Sequence, residues 1–226
     1  MKPVGILGGM VPQTTVLVMQ KLLSATQTQD GSNHIPLILN HNPQLPPRVT
    51  LVDGDDDREP MPALMSMAQD LERAGAQALA MPNVEAHHYS LAVSHATTLP
   101  FLDIIEFSAT QVQASGANKI GLLAAPACRT FELFDAIFDA KGLTPVWLKD
   151  ELGVSNLIAA AKSGNQSADL EQNLQAIAND LLDQGAEHIL VANTELSPLQ
   201  GALPNDMPTT DSLTCLCNAI VTFAKS

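Results

Sequence analysis

Gly185-Ala-Glu-His-Ile-Leu-Val-Ala-Asn193-Thr-Glu195-Leu196 is written twice in this chain, and that repetition decides the fold. The other copy is Gly75-Ala-Gln-Ala-Leu-Ala-Met-Pro-Asn83-Val-Glu85-Ala86. An offset of 110 residues puts Gly75 on Gly185, Ala76 on Ala186, Asn83 on Asn193 and Glu85 on Glu195. The run-ups agree as well, Gln69-Asp-Leu-Glu-Arg-Ala74 against Asn179-Asp-Leu-Leu-Asp-Gln184. Each reads as a helix end closed by a glycine in the left-handed position just past the cap. An apolar run of strand length follows each glycine, and polar residues follow the run. Open α/β sheets bind ligands where buried parallel strands end. Each half is therefore expected to present one Asn-x-Glu at such an end, and two such ends can face each other.

A second repeated piece supports the duplication. Val4-Gly-Ile-Leu-Gly-Gly-Met-Val-Pro-Gln-Thr14 is similar to Ile120-Gly-Leu-Leu-Ala-Ala-Pro-Ala-Cys-Arg-Thr130, with Gly5 on Gly121 and Thr14 on Thr130. Both read as a short buried strand, a turn of small residues and a helix. Self-similarity at this period indicates a doubled domain rather than a solenoid.

Strand and helix signals alternate along the whole chain, which predicts parallel sheets covered by helices on both faces. The expected strands are 1–10, 34–40, 99–105, 119–125 and 144–148, together with the two Asn-x-Glu strands. Expected helices are 13–25, 61–74, 87–95, 107–115, 130–141, 154–162, 168–184 and 211–225, with 203–208 as a linker. The architecture that follows is two pseudo-symmetric three-layer αβα lobes with mainly parallel sheets and a cleft between them. Residues 1–100 form the first lobe and 101–207 the second, and the terminal segment 208–226 packs back on the first. Between 41 and 58 runs a long loop rich in Pro and Asp, well beyond the usual connection length. Its Asp run reads as solvated surface, whereas Arg48 stands out within it.

The bulk numbers exclude some classes of function. The chain has 226 residues, 46% of them apolar and only 4% aromatic, enough for a sizeable core packed mainly by Ala and Leu. Its net charge of −13 argues against nucleic acid and anionic membrane surfaces as partners, because both need clustered Lys and Arg. A soluble acidic surface explains the charge most simply. No apolar run approaches the roughly 20 residues that cross a bilayer, and the start reads as a first strand rather than a signal peptide; a cytoplasmic protein is expected. The cysteines Cys128, Cys215 and Cys217 follow neither a metal-ligand nor a disulfide spacing, so no metal is expected. Cys215 and Cys217 read as small buried hydrophobes. Gly5 to Gly9 is not a Gly-x-Gly-x-x-Gly fingerprint, so no dinucleotide is expected.

Four stretches carry a resemblance. Gly5-Ile-Leu-Gly-Gly-Met-Val-Pro12 is similar to the N-terminal signature of the cofactor-independent aspartate/glutamate (Asp/Glu/hydantoin) racemase family. His41-Asn-Pro-Gln-Leu-Pro-Pro-Arg48 resembles that family's Asn-Pro-x-Ile-Pro-Asp-Arg loop. Gly121-Leu-Leu-Ala resembles the start of its Ala-Thr-x-Gly-Thr loop, and Thr194-Glu195-Leu196 the end of its Cys-Thr-Glu-Leu motif. The four occur in family order over essentially the whole chain. The resemblance implies two pseudo-symmetric lobes with the active site between them, no cofactor, a small carboxylate or amino acid as ligand, and a homodimer.

The departure lies at the chemistry. Where the family has Pro-Cys-Asn-Thr-Ala-His, this chain has Pro82-Asn83-Val-Glu85-Ala-His87, and the family's Cys-Thr-Glu is Asn193-Thr194-Glu195. Racemisation without a cofactor needs a base on one face of the α-carbon and an acid on the other, and a thiolate/thiol pair serves both. A carboxamide neither gives nor takes a proton in the working range, and each lost acid–base group costs about 10²–10⁴-fold in rate. Three substitutes are open. Glu85 and Glu195 could act as a carboxylate pair, since a desolvated carboxyl works as a general acid or base, although Glu195 matches a family glutamate that does not itself transfer the proton. Cys128 falls at the last Thr of the family's small-residue loop and is otherwise a buried structural cysteine.

For binding, the resemblance implies that Arg48 and Lys162 hold a distal carboxylate, with Met10, Thr194 and His87 near the ligand. Arg48 matches its motif closely and Lys162 by approximate position, and a guanidinium fork suits a carboxylate. Two functions stay open: an amino-acid racemase or isomerase with altered acid–base groups, or a pseudoenzyme that binds a small metabolite without turnover.

Overall fold

The structure, a computed structural model, describes residues 1–26, 34–45, 60–163 and 167–226. Arg48 lies outside the described residues. The chain divides into two compact units, Met1–Asp103 with Leu216–Ser226, and Ile104–Cys215.

The first unit contains β1 (Val4–Gly8), α1 (Pro12–Ala25), β2 (Leu37–His41), α2 (Met61–Arg73), β3 (Ala78–Ala80), α3 (Ser90–His95) and β4 (Phe101–Leu102). Its strands are parallel in the order β2-β1-β3-β4. β1 is buried at every position, as a central strand covered on both faces must be. The second unit contains α4 (Ile104–Ala114), β5 (Lys119–Leu123), α5 (Pro126–Thr130), α6 (Asp135–Lys141), β6 (Thr144–Trp147), α7 (Glu151–Lys162), α8 (Ala168–Asp183), β7 (His188–Val191), β8 (Thr209–Asp211) and the start of α9 (Ser212–Lys225). Its parallel order, β6-β5-β7-β8, repeats the first sheet strand for strand. The last turns of α9 belong to the first unit, where the Ala224 carbonyl accepts from Lys2 N–H at 2.9 Å.

The duplication extends to side-chain neighbours. α2 buries Leu64, Ala68 and Leu71, and α8 buries Leu174, Ala178 and Leu181, each 110 residues further on, along one helical stripe. Gly5 leaves room in β1 for Leu71, Ala76 and Leu79: a Cβ there would come within 3.1 Å of all three. Gly121 does the same in β5 for Leu181, Ala186 and Ile189, the corresponding neighbours, at 3.0 Å or less. Gly75 and Gly185 end α2 and α8 with φ of +96° and +94°, the left-handed cap the repeat predicts.

Several element bounds differ from the sequence reading. The helix expected over 130–141 is two, α5 and α6, parted by a turn in which Glu132 takes φ +52°. The strand expected over 99–105 shrinks to Phe101–Leu102, because β4 is an edge strand that pairs only with β3 and α4 starts at Ile104. Residues 85–89 form a 3₁₀ segment, and the α-helix begins only at Ser90. β8 has no periodic signal at three residues and is held through β7, where Ile189 N–H donates to the Pro208 carbonyl at 2.8 Å. Among the described residues no helix is long and apolar enough to cross a membrane.

Candidate functional site

In the first unit the polar strand end lies past β3. Asn83 is 2% exposed, and its side-chain Oδ1 accepts from Ala86 N–H at 2.8 Å, closing the turn into the 3₁₀ segment. This is an Asx-type local bond that asparagine forms readily where a helix begins. His87 Nδ1 lies 2.7 Å from the Asn83 carbonyl oxygen. A carbonyl can only accept, so Nδ1 carries the proton. Nε2 faces Asp103 Oδ1 at 3.8 Å, and the ring leans on Phe101 with centroids 5.5 Å apart. Burial lowers the His87 pKa, against the opposing pull of the Asp103 carboxylate and the Asn83 carbonyl. The imidazole is thus neutral and serves to anchor the turn. Glu85 is half-buried at the head of the same segment, and Met10 is half-buried after β1, packed against the core of this unit.

In the second unit Asn193, Thr194 and Glu195 follow β7, all under 7% exposed. Asn193 Oδ1 accepts from Glu195 N–H at 3.2 Å, so its carboxamide is turned toward its own following backbone, like that of Asn83. Thr194 Oγ1 donates to Glu195 Oε2 at 3.3 Å. Lys162, the last residue of α7, brings Nζ to 3.8 Å from Glu195 Oε1. That distance is an ion pair without a hydrogen bond. The glutamate side chain is 2% exposed and the lysine 38%, so the pair has a buried acidic end and a half-open basic end. Cys128 lies in α5, past the end of the neighbouring β5, with no exposed surface.

Sequence reasoning missed the support under this turn. Asp211, at the end of β8, is 5% exposed; its Oδ2 accepts from Ser197 Oγ at 2.8 Å, Thr214 N–H at 2.9 Å and Thr214 Oγ1 at 2.6 Å. The carboxylate caps α9 and ties the segment after Glu195 to the edge strand. Asp211-Ser-Leu-Thr214, an acidic residue three before a residue in the first turn, was the available signal for the cap; nothing local pointed to Ser197. His188 Nε2 sits 2.8 Å from Thr210 Oγ1 in the same region, and burial lowers its pKa. Among the described residues no group of three or more His, Cys, Asp or Glu is placed to hold a metal ion.

The structure thus brings Asn193, Thr194, Glu195 and Lys162 together in the second unit, and Asn83, Glu85 and His87 in the first. Carboxamides and a neutral imidazole can donate and accept hydrogen bonds. Glu195 and Lys162 add the charges that a carboxylate or amino acid would meet.

Comparison with known proteins agrees over the full length. The broad specificity amino-acid racemase RacX of Bacillus subtilis (strain 168) is 26% identical over 229 residues, covering 96% of each chain. The aspartate racemase of Picrophilus torridus superposes with a TM-score of 0.88 at 24% identity, covering all of this chain and 95% of that one. The glutamate racemase of Francisella tularensis subsp. tularensis SCHU S4, solved with D-glutamate, gives a TM-score of 0.72 at 13% identity, covering 98% and 80%. Residues 7–220 match the Asp/Glu/Hydantoin racemase family, and with that match spanning nearly the entire doubled α/β fold, this chain belongs to that family.

Proposed function

We propose that the protein takes a small carboxylate or amino acid at its strand ends and performs amino-acid racemase-like proton chemistry with groups other than paired thiols. The observation that carries this is the buried Glu195 carboxylate, which sits at the end of β7 beside a half-exposed Lys162. Lys162, with Arg48, supplies charge for the ligand carboxylate, while Thr194, His87 and Met10 shape its surroundings. Glu195 is the foremost proton carrier; Glu85 and Cys128 are the others. In this reading Asn83 and Asn193 occupy the family's cysteine positions and act by hydrogen bonding. A cytoplasmic homodimer belongs to the same proposal, and size-exclusion chromatography with light scattering checks the oligomeric state.

The test is incubation of aspartate, glutamate and other amino acids in deuterated water, followed by proton NMR. At least one α-hydrogen signal is expected to fade with the wild type and to persist with Glu195→Gln. Retention of every α-hydrogen by the wild type sinks the catalytic reading.

A second reading, binding without turnover, is favoured by a specific observation. Cys128 is fully buried, and both carboxamides have their oxygens engaged by backbone N–H groups. A thermal-shift screen of amino and dicarboxylic acids separates the two, since ligand at 100 times Kd adds about 2.7 kcal/mol. Stabilisation without exchange of the α-hydrogen supports the binding protein. Under the catalytic reading, joint replacement of Asn83 and Asn193 by Cys should recover detectable racemisation, measured by chiral chromatography.

A further inference from the structure

Asparagine offers a ligand two chemically opposite ends, and the fold has chosen between them at position 83. Oδ1 is committed to Ala86 N–H at 2.8 Å, and the backbone carbonyl of the same residue is committed to His87 Nδ1 at 2.7 Å. Both acceptors of Asn83 therefore point into the turn that follows. The amide plane is set by the 3₁₀ segment, and the orientation of that segment is set by a buried imidazole wedged against Phe101. What remains is the Nδ2 amide, a two-hydrogen donor, which has no hydrogen-bond partner among the described residues. Burying such a donor without an acceptor is costly, so its complement is an acceptor brought by the ligand.

We infer that Asn83 is a specificity-determining binding residue that recognises a carboxylate oxygen through its Nδ2 hydrogens. The inference rests on the proposed carboxylate ligand and deepens it by assigning a polarity: position 83 donates and cannot accept. Asp is the discriminating substitution. A carboxylate at 83 keeps the acceptor that Ala86 N–H requires, so the turn survives. It replaces the two donors with a second negatively charged oxygen, which repels an anionic ligand. An ordinary structural asparagine at a turn would tolerate that change.

The experiment is isothermal titration of full-length wild type, Asn83→Asp and Asn83→Ala with L-aspartate, D-aspartate and succinate, with unfolding midpoints of the unliganded proteins measured alongside. Wild-type binding that weakens about a hundredfold in Asn83→Asp and about tenfold in Asn83→Ala is expected, for loss of a hydrogen bond to a charged group. Midpoints for Asn83→Asp should stay near wild type. Equal affinity of Asn83→Asp and wild type overturns the assignment and leaves the carboxylate reading standing. Failure of the wild type to bind any of these probes overturns both. If Asn83→Asp does not fold, ¹⁵N NMR of the wild type decides: the Asn83 side-chain amide protons move downfield on saturation with the bound probe, and unchanged resonances reject the assignment.

Discussion

His87 shows how one side chain translates burial into pH dependence. Its folded pKa is held below the value of about 6.5 that an unfolded chain shows, chiefly because burial disfavours the charged ring. As pH falls the unfolded state takes up the proton first, so the stabilisation present above about pH 6.5 is lost as pH drops through the folded value. Asp103, facing Nε2 at 3.8 Å, restrains that loss. The unfolding midpoint in urea should therefore fall between pH 7.5 and pH 5, and the fall should be shallower in His87→Gln. The cysteines give a second expectation at this scale. Cys128, Cys215 and Cys217 are all buried, and burial, with the Asp211 carboxylate adding to it, pushes the Cys215 thiol up to about 11. Thiolate is the reactive form. Native protein at pH 8 should leave Ellman's reagent nearly untouched, and denaturation should release all three thiols.

At the scale of the element, the turn after β7 is held from below. Asp211 is read in sequence only as the start of a helix, and it does cap α9 through Thr214 N–H. Its bond to Ser197 Oγ ties a second segment to the same carboxylate. Asp211→Ala would strip one cap bond and leave two buried hydroxyls without that acceptor, a loss of about 2–4 kcal/mol by the cost of a removed cap plus unsatisfied polar groups. Denaturant unfolding measures it. Asp211→Asn, which keeps one accepting oxygen, should lose roughly half as much on the same reasoning. A decline confined to stability, with no change in α-hydrogen exchange or carboxylate binding at saturating folded protein, would show that the turn after β7 keeps its shape without this tether.

At the scale of the whole molecule, the repeat in sequence is a repeat in physics. Gly75 and Gly185 stand at corresponding positions with φ of +96° and +94°, and an added Cβ meets nothing within 4 Å at either. The cost of alanine there is backbone strain alone, about 1–2 kcal/mol at each site. Thermal unfolding should show Gly75→Ala and Gly185→Ala to be similarly destabilised, with the double variant losing the sum. Unequal losses would mean that the two copies no longer carry equivalent roles. The doubled α/β plan was legible in the sequence, because strand burial, helical stripes and left-handed caps are local and each was written twice, 110 residues apart along the Asn-x-Glu repeat. So were the strand-end positions of Asn83 and Asn193, since polarity at the end of an apolar run is itself a sequence pattern. The two-residue β4, the three-residue β8 and the break at Glu132 were not legible, because such pieces owe their form to pairing and packing with distant residues rather than to their own periodicity. The tertiary structure alone decided which end of each carboxamide is tied down, that Lys162 reaches Glu195 from another helix, and that Asp211 underlies the turn. Hydrogen-bond direction and the meeting of residues 33 or 14 positions apart depend on three-dimensional placement, for which a linear pattern carries no term.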